Sequence, residues 1–544
     1  MNEFLEGLKF LRESEDHIEF KEARRDFNFN GGSHADPKRR RHCVLGYVAA
    51  LANEGGGALV FGMADKRPHE VVGTSYEVGN LGALEDAIYR YHGLRVRIDE
   101  HFDGERRVVV FNVPSRPVGK LLRFEGVPMM RTGESLREMS DAEMLRILSE
   151  QEPDFSAKIC EGLTLADLDP EALRVMKVRY AQKQKNPSFR NLSDEQVLTD
   201  LELLTRDGRL TYAALILLGK GEMIHELLPQ AGIIVEYRKS ASSITYDRRK
   251  EIRKPLFLAV DEAWDFLNQP LTNPEIHYSQ GAYIFDVSAF NETTVREALL
   301  NALSHRSMRI QSEVVVKQSP KQLTILNPGG FPIGVTEDNI LTVSSTPRCK
   351  RLVEVLQKTG LVERSGQGVD KMFSNCILDG KSLPSYRGTD MYQVQLTIEA
   401  ELKYPVLMRI LREEQARRGE EDALNVFQLI ALYNVYVGKS ESIPADTLSE
   451  LEAMHLVRRY RGKYKVCDHY VGDESVTELT ERQRNILNLL AESPTLSGRK
   501  LSEMLSVTQR TIERDLKALQ DTGRLRHTGP DNDGRWEVID WQKP

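Results

Sequence analysis

The sequence is poor in cysteine and tryptophan, with 5 cysteines and 3 tryptophans among 544 residues. The cysteines are odd in number, widely separated and never spaced as CxxC, which argues against a disulfide framework and against a structural zinc site. No stretch approaches the ~18 uncharged apolar residues that a membrane span requires. The opening residues, MNEFLEGLKF, are acidic and lack the apolar core of a secretory signal. Together these absences predict a cytoplasmic protein with reduced thiols.

Several catalytic signatures are also missing. The chain has no GxxxxGK[ST] loop, so a P-loop motor is not supported, and it has neither a serine-hydrolase elbow nor an HExxH metalloprotease motif. A formal net charge of −7 would by itself count against a nucleic-acid-binding protein, which tends to carry basic surface. The 40% hydrophobic share is enough for ordinary buried cores, and at about 150 residues per domain the length predicts three to four folded units.

The apolar patterns predict an α/β and α+β multidomain chain with five regions. Residues 1–152 and 211–400 combine apolar strands with helices, and in the second region TYAALILLG, AGIIVEYR and AYIFDVSAF are strands or buried helices. Residues 153–210 are charged and form a helical connector. Residues 401–475 and 476–544 each show helices followed by a basic strand pair. Ser140, with Glu143 three residues later, is expected to cap the helix that closes the first region.

Residues 479–538 have the pattern of three helices and a β-hairpin. Thr480 is expected to cap the first helix, and Val507 lies in the turn before the third. Apolar residues recur at helical spacing in all three helices. They are Ile486, Leu489 and Leu490, then Leu501, Met504 and Leu505, then Ile512, Leu516 and Leu519.

The third of these helices leaves polar and basic residues off its apolar stripe, namely Gln509, Arg510, Arg514 and Lys517. The hairpin carries Arg524, Arg526 and Arg535. A helix presented in this way can enter a major groove while the hairpin's cations contact phosphates. The segment resembles the winged helix-turn-helix of bacterial transcription regulators of the DeoR type, which implies binding to duplex DNA. Winged helices also serve as dimerisation or protein-docking modules, so that alternative stays open.

The preceding region repeats this layout more weakly. NVFQLIALYNVYVG is followed by a strand pair with five basic residues, which are Arg458, Arg459, Arg461, Lys463 and Lys465. The pattern fits a second winged helix, and it fits a packing module with a solvated basic edge equally well.

In the middle region, Glu297, Asn301 and His305 are spaced four residues apart and therefore share one helical face. LTILNPGGFP follows, and then TPRCKRLVEVLQKTGLVERSGQGVDKM. This order resembles the GHKL nucleotide-binding fold of gyrases, histidine kinases and MutL, an α/β sandwich. It looks closest to the variant in the C-terminal part of RecG-related helicases.

The GHKL resemblance implies an ATP site with Mg²⁺. It makes Asn301 the residue that holds Mg²⁺ against the triphosphate and Glu297 the acid that can activate the attacking water. It also implies two glycine boxes. Gly329 with Gly330 lets the protein backbone approach the nucleotide, and Gly366 with Gly368 provides amides that would bind its phosphates. The alternatives are simple turn geometry for the glycines and a solvated helix face for the two polar residues.

This chain departs from the GHKL pattern at three places. Asn327 stands where the family has the Asp that reads the adenine amino group. Ser307-Met308 replaces a usual Asp-Tyr after His305-Arg306, and Cys349 follows Pro347-Arg348 where relatives have Asn. These departures bear on ATP hydrolysis more than on the fold.

At the N-terminus, ESEDHIEFKEA followed by LANEGGGALVFGMAD resembles the Schlafen/AlbA-type α+β domain. In Schlafen-type RNases the matching acids form a metal-dependent cleavage site. The resemblance therefore implies that Glu13 or Glu15, together with Glu19 and Asp65, binds Mg²⁺ or Mn²⁺ beside Lys21. Lys21 and Glu19 would face the same side of a strand. A working nuclease, a non-cleaving nucleic-acid-binding domain and a structural strand with solvated acids all stay open.

A basic run in the same region could contact a single strand or a phosphate backbone. It comprises Lys38, Arg39, Arg40 and Arg41, and it follows a loop that bears Phe27 and Phe29. Arg131, with Ser135 and Arg137, could also contact phosphate. A merely solvated loop explains the basic run equally well.

Three functional hypotheses follow. The favoured one is a DNA-binding regulator whose ATP-binding middle domain controls nucleic-acid engagement. The alternative is a Schlafen-like metal-dependent nuclease that acts on tRNA or single-stranded DNA in defence or stress, and the third is a nucleotide-free scaffold. Because Schlafen-like domains often pair, a homo-oligomer, dimer or higher, is expected. The formal net charge of −7 does not exclude binding to nucleic acid, because the basic residues are concentrated in the N-terminal loop, the third helix and the hairpin.

Overall fold

The computed structural model describes residues 3–538 except positions 14, 133–134, 151–152, 281–282, 333, 344–346, 363–366, 420–421, 461–462, 468–480, 506, 522–523 and 529–534. The chain forms two compact units, Met1–Pro405 and Val406–Pro544, each of which is described by itself. In the part of the chain that is described, no helix combines the length and the apolar character needed to cross a membrane.

The N-terminal domain contains two sheets and one fully buried helix. The helices are α1 (Glu3–Leu8), α2 (Pro37–Arg41), α3 (Val44–Asn53), α4 (Leu81–His92) and α5 (Asp141–Leu148). The strands are β1 (Ile18–Lys21), β2 (Gly57–Phe61), β3 (Arg97–Asp103), β4 (Arg106–Val113), β5 (Arg123–Phe124), β6 (Val127–Thr132) and β7 (Ser135–Glu138). The first four strands form a sheet in the order β1-β2-β4-β3, with β1 parallel to β2, and the others form the antiparallel sheet β5-β6-β7.

Helix α3 contacts both sheets, and all 10 of its residues are buried. A helix that is apolar on every side belongs in a core, and VLGYVAALAN meets that condition. A Cβ atom at Gly46 would lie 1.9 Å from the carbonyl oxygen of Arg41, so only glycine fits this approach. At the end of the domain, the predicted capping box is present, because the Ser140 hydroxyl accepts from the Glu143 amide and the Glu143 carboxylate accepts from the Ser140 amide.

The connector is helical, as its composition predicts, with α6 (Pro170–Lys183) and α7 (Asp194–Asp200). Asp169 caps α6 by accepting hydrogen bonds from two first-turn amides, and Pro170 occupies the first helical position. The next segment, TYAALILLG, forms a buried apolar helix, and Thr211 caps its first turn.

The middle domain has a five-stranded sheet in the order β14-β13-β12-β8-β9, with β8 parallel to β12 and the other neighbours antiparallel. Its strands are β8 (Ile233–Tyr237), β9 (Arg248–Ile252), β10 (Glu275–Gln280), β11 (Tyr283–Ser288), β12 (Val314–Gln318), β13 (Gln322–Pro328) and β14 (Gln393–Glu399). Strands β10 and β11 form a separate hairpin. The helices are α8 (Tyr212–Leu218), α9 (Gly221–Leu227), α10 (Leu256–Leu267), α11 (Glu292–His305), α12 (Lys350–Lys358) and α13 (Gln367–Leu378).

The second unit contains two helix-and-hairpin modules. The first has α14 (Pro405–Arg418), α15 (Val426–Tyr436), α16 (Ala445–Ala453) and the hairpin β15 (Val457–Tyr460)–β16 (Lys463–Val466). The second has α17 (Glu481–Glu492), α18 (Gly498–Met504), α19 (Gln509–Asp521) and the hairpin β17 (Leu525–Thr528)–β18 (Arg535–Val538).

The second module buries most of the apolar residues that the helical spacing predicts. Its fully buried core includes Ile486, Leu490, Leu501, Ile512, Leu516 and Leu519, with Leu489, Leu505 and Val507 packed against it. Met504 departs from the prediction, because it is the last residue of the short helix α18 and its side chain is 55% exposed. The expected cap at Thr480 lies outside the described residues.

A buried histidine makes the stability of the N-terminal domain sensitive to pH. Burial lowers the pKa of His92 to about 4, and its Nε2 lies 2.9 Å from the carbonyl oxygen of Leu45. A group whose pKa is depressed by folding contributes stability above its unfolded pKa, about 6.5, and loses it as the pH falls towards the folded value. We expect this contribution of up to about 3 kcal/mol to disappear between about pH 6.5 and pH 4.

The measurement is denaturant unfolding of wild type and His92→Gln across this pH range. Glutamine keeps a donor for Leu45 but does not titrate, so the stability gap between the two proteins should narrow as the pH falls. A gap that stays constant contradicts the assignment.

Candidate functional sites

A cavity in the middle domain gathers the polar residues that the helical spacing placed on one face. Glu297, Asn301 and His305 on α11 all line it, together with Asn327 on β13 and Gly368 in the first turn of α13. Most of the remaining lining is apolar, including Ile325, Phe331, Val353 and Leu396. An apolar pocket with a few convergent polar groups is the usual form of a small-molecule site.

Two amide side chains in this cavity each have one buried atom without a hydrogen bond. The Nδ2 atom of Asn301 and the Oδ1 atom of Asn327 are both buried and have no partner among the described residues. A buried polar atom without a partner costs about 1–3 kcal/mol. The cavity therefore offers one donor and one acceptor to a ligand, and both residues come from the positions that the sequence assigns to nucleotide recognition.

The acid on α11 lies against the start of α13. A Cβ atom at Gly368 would lie 1.7 Å from the Glu297 Oε1 atom, so the Glu297 carboxylate fills the space that a side chain at this position would take. The first turn of a 12-residue helix attracts negative charge, and the carboxylate occupies that position. The other glycine of this box, Gly366, lies outside the described residues.

The first glycine box is used differently from the expectation. Neither Gly329 nor Gly330 lines the cavity. Their amides donate hydrogen bonds to the carbonyl oxygens of Tyr392 (2.6 Å) and Met391 (3.1 Å). Gly329 has a φ of +93°, a conformation that favours glycine. In this structure the glycines admit a neighbouring backbone segment, and the approach to a nucleotide stays a prediction.

Arg348 is a site residue that the sequence reasoning left out. Its guanidinium donates to the carbonyl oxygens of His305 (3.0 Å) and Gly330 (2.7 Å), and so joins the end of α11 to the glycine turn. Burial, assisted by the nearby Arg348 charge, lowers the pKa of His305 to about 4. His305 is therefore neutral near pH 7. The TPRC motif departs from the GHKL pattern at its cysteine, and its arginine lines the cavity.

In the N-terminal domain, Glu19 is fully buried between two cations. Its carboxylate lies 2.7 Å from Lys21 Nζ and 2.9 Å from an Nη atom of Arg131. Arg131 also pairs with Glu54 at 2.8 Å and donates to the carbonyl oxygen of Ile18 at 2.6 Å. Burial works to lower the pKa of Lys21, but Glu19, together with Tyr47 and Asp65, outweighs it and the pKa is raised. Glu19, Lys21, Arg131 and Glu54 form one network of ion pairs.

The other candidate acids accept hydrogen bonds from other groups, although Asp65 also lies close enough to Lys21 to raise its pKa. Glu13 accepts a hydrogen bond from the Phe20 amide at 2.8 Å, and Asp65 accepts one from the Glu22 amide at 2.9 Å. Glu15 is exposed and pairs with Arg12 at 2.8 Å. Across the described ranges, no group of three or more His, Cys, Asp or Glu side chains could hold a metal ion. Because Lys21 and Arg131 supply the positive charge at Glu19, these residues do not fit a divalent metal site.

Arg131 needs a correction as a phosphate-binding candidate. Its side chain is 2% exposed and its charge is used by Glu19 and Glu54, so it does not face a ligand. Arg137 is likewise paired with Glu143, at 2.7 Å.

The basic run at 38–41 is divided between solvent and internal ion pairs. Arg40 pairs with Glu125 at 2.7 Å, and Arg41 pairs with Glu138, so both attach α2 to the three-stranded sheet. Lys38 and Arg39 are exposed. The expected aromatic partners Phe27 and Phe29 pack against the domain core instead. Two cations of the four therefore remain available to a polyanion.

The second module of the C-terminal unit presents its polar face as predicted. Gln509, Arg510, Arg514 and Lys517 are exposed on α19, and Arg526 and Arg535 are exposed on the hairpin. The buried acid of this helix, Asp515, faces inward and pairs with Arg482 of α17 at 2.5 Å. Among the described side chains of α19, the outward face therefore carries three cations and one acid, Glu513.

The first module differs from the second in charge. Its helix α16 contains Asp446, Glu450 and Glu452 and no lysine or arginine. Arg458, Arg459, Lys463 and Lys465 are exposed on its hairpin. An acidic helix is unsuited to the major groove of DNA. The charges therefore favour the interpretation of this module as a packing module, with the hairpin as its solvated basic edge.

Family models match four stretches of the chain. Residues 14–140 match Schlafen, AlbA_2, and residues 142–234 match a domain of unknown function, DUF8451. Residues 311–398 match the ATP-dependent DNA helicase recG C-terminal family, and residues 482–527 match an HTH domain. The chain thus has the architecture that its motifs predict. Its HTH domain indicates DNA binding and its ATPase-like domain indicates nucleotide binding. The middle match begins after α11, so it includes Asn327 but not Asn301.

Among solved structures, the chain is similar to the DIP2311 protein from Corynebacterium diphtheriae. The two share 20% identity over 96% of this chain and 95% of that chain, with a TM-score of 0.45. No curated protein matches the chain.

Removing Arg131 should destabilise the N-terminal domain, because two acids would lose the cation they share. Breaking a buried pair costs about 3–5 kcal/mol, and we expect Arg131→Ala to lower the free energy of unfolding by about 3 kcal/mol. Arg12→Ala, which breaks the exposed pair with Glu15, should cost at most about 1 kcal/mol. Denaturant unfolding of both variants measures the difference, and equal small losses would show that the buried network is not what stabilises the domain.

Proposed function

We propose that this protein is a nucleotide-responsive DNA-binding protein, a transcriptional regulator whose middle domain binds ATP with Mg²⁺ and controls nucleic-acid engagement. The observation that carries the proposal is the cavity of the middle domain, where two buried amides lack partners. It stands in a chain whose C-terminal helix α19 presents an exposed basic face.

The residues of the cavity suit a purine nucleotide. The Oδ1 atom of Asn327 is a buried acceptor, and the exocyclic amino group of adenine is a donor of matching chemistry. Asn301, on α11, would hold the Mg²⁺ through its amide oxygen. Bound Mg²⁺ supplies positive charge that neutralises the phosphates. A phosphate beside the first-turn amides of α13 would take the space that the Glu297 carboxylate fills at Gly368.

Glu297 is the proposed general base if the protein hydrolyses ATP. Its carboxylate lies in the cavity, at the helix end where phosphates would bind. There it could accept a proton from an attacking water. This carboxylate lies beside Gly368, where a phosphate would bind, so binding of a triphosphate requires it to rotate away.

At the other end of the chain, the proposed DNA contact is α19 in the major groove. Arg510, Arg514 and Lys517 face outward from the core, with Gln509 at the helix start. Arg526 and Arg535 of the hairpin would contact phosphates on either side. In the N-terminal domain, Lys38 and Arg39 are the residues that could add a contact to RNA or single-stranded DNA.

The nuclease alternative has weaker support. Metal-assisted cleavage needs carboxylates that converge on an ion, whereas Glu19 is enclosed by Lys21 and Arg131. The arrangement favours a non-cleaving role for the N-terminal domain.

ATP with Mg²⁺ should raise the unfolding temperature, since a ligand that binds only the folded state stabilises it by about 2.7 kcal/mol at 100 times its Kd. Asn301→Ala should remove most of this shift, because it deletes the proposed Mg²⁺ ligand. Thr293→Ala, at an exposed position of the same helix, is the control and should behave as wild type. An ATP-dependent shift that survives in Asn301→Ala would contradict the assignment of that residue.

Duplex DNA should bind through α19. Replacing Arg510 and Arg514 together with alanine should weaken binding, and if both contact phosphate the slope of log K against log salt should become shallower by about 1.8. Arg484→Ala, on the exposed side of α17, serves as the charge-matched control for one cation. Electrophoretic mobility shifts at several salt concentrations provide the measurement, and an unchanged slope in the double variant would refute the groove contact.

A further inference from the structure

A short turn, Asp390–Tyr392, lies between the candidate nucleotide site and the N-terminal domain and contacts both. It comes directly before β14, whose neighbour β13 carries Asn327 opposite Val394. We refer to these three residues as the 390–392 turn. One side of the turn contacts Gly329 and Gly330, and the other side contacts α4 of the N-terminal domain.

The side towards the nucleotide site is bound by backbone contacts. Gly329 and Gly330 donate their amides to the carbonyl oxygens of Tyr392 and Met391. The approach is so close that a Cβ atom at Gly330 would lie 2.3 Å from the carbonyl oxygen of Asp390. Since Asn327 is only two residues before Gly329, near the end of β13, a movement of the turn would move the edge of the cavity.

The side towards the N-terminal domain is bound by side chains. The Asp390 carboxylate accepts hydrogen bonds from the Tyr89 hydroxyl and, at 3.4 Å, from the Arg95 guanidinium. The Tyr392 hydroxyl accepts from the Arg95 amide at 2.8 Å, and the Arg95 guanidinium lies 4.9 Å from the centre of the Tyr392 ring. Met391 and Tyr392 also pack against the apolar core of the N-terminal domain.

The end of α4 is shaped to receive the turn. Gly93 ends this helix in the left-handed conformation, with a φ of +66°. A Cβ atom at this position would come 3.2 Å from the terminal methyl of Met391. Glycine therefore serves both the helix end and the contact between domains.

Asp390 links the two sides through one carboxylate. Its Oδ1 atom accepts from the amides of Tyr392 (2.8 Å) and Gln393 (2.9 Å), which sets the shape of the turn. Its Oδ2 atom is the one held by the N-terminal domain. A movement of Tyr89 or Arg95 would therefore move the backbone of the turn, to which Gly329 and Gly330 are hydrogen-bonded.

We propose that Asp390, Tyr89 and Arg95 are positioning residues for the nucleotide site, through which the N-terminal domain sets the geometry of the first glycine box. This rests on the proposed nucleotide binding. By linkage, a change in the N-terminal domain that alters nucleotide affinity is matched by an equal effect of nucleotide on that domain. The 390–392 turn is then the route by which nucleotide occupancy reaches the N-terminal domain.

The test uses the full chain with Tyr89→Phe combined with Arg95→Ala, and separately Asp390→Asn. Asparagine keeps an acceptor for the turn amides and loses the charge that Arg95 contacts. Arg97→Ala is the matched control, because Arg97 is 80% exposed and pairs with Asp99, away from the turn. Calorimetry measures the Kd for ATP with Mg²⁺, and hydrogen exchange without nucleotide follows the amides of Asn327, Gly329 and Gly330.

We expect the double variant to exchange the Gly329 and Gly330 amides faster and to bind ATP at least fivefold more weakly, which is the lower end of measured couplings between sites. Asp390→Asn should show a smaller effect of the same sign, and Arg97→Ala none. Unchanged exchange in the double variant overturns the proposal whether or not ATP binds. Faster exchange in a protein whose wild type does not bind ATP would support the positioning role and refute the nucleotide function.

Discussion

Glu19 is completely buried on β1, and an ionised carboxylate in that position needs positive charge within contact distance. Arg131 meets this need from β6, more than a hundred positions along the chain, and brings Glu54 at the end of α3 into the same network. The pairing joins the four-stranded sheet, the three-stranded sheet and the central helix. The arrangement of the N-terminal domain depends on it, because each of these elements supplies a charge that the others neutralise.

The need of buried polar groups for partners distinguishes the two candidate sites. In the N-terminal domain, Lys21 and Arg131 place two positive charges against Glu19, so this carboxylate has little attraction left for a metal ion. In the middle domain, the Nδ2 atom of Asn301 and the Oδ1 atom of Asn327 have no hydrogen-bond partner among the described residues. Unmet hydrogen-bonding capacity in an apolar cavity is the more direct sign of a binding function. This difference favours nucleotide binding over metal-dependent cleavage for this chain.

The sequence predicts local features well and long-range pairings poorly. The spacing of Glu297, Asn301 and His305 correctly indicates one face of α11, and the apolar stripe of α19 correctly indicates which side is buried. The motif order also identifies the three domain types that the family models match. These are properties of single helices and short motifs, whose geometry follows from a regular backbone.

The partners of charged residues are not local, and there the sequence reasoning was less successful. Arg131 was expected to contact phosphate, yet it neutralises buried acids. The roles of Arg348 and Asp390 depend on segments brought together only by the tertiary fold. Met504 shows the same limit for apolar residues, since helical spacing does not reveal that α18 ends there.

The inward orientation of Asp515 has a consequence for how the C-terminal module can change over time. The residues that hold α19 in place, Ile512, Leu516 and the Asp515–Arg482 pair, lie on one side of the helix, and those that would read DNA lie on the other. Substitutions on the outward face are expected to alter stability by no more than about 0.5 kcal/mol. A lineage could therefore acquire a new target sequence by exchanging Gln509, Arg510 or Arg514 without first evolving a more stable fold.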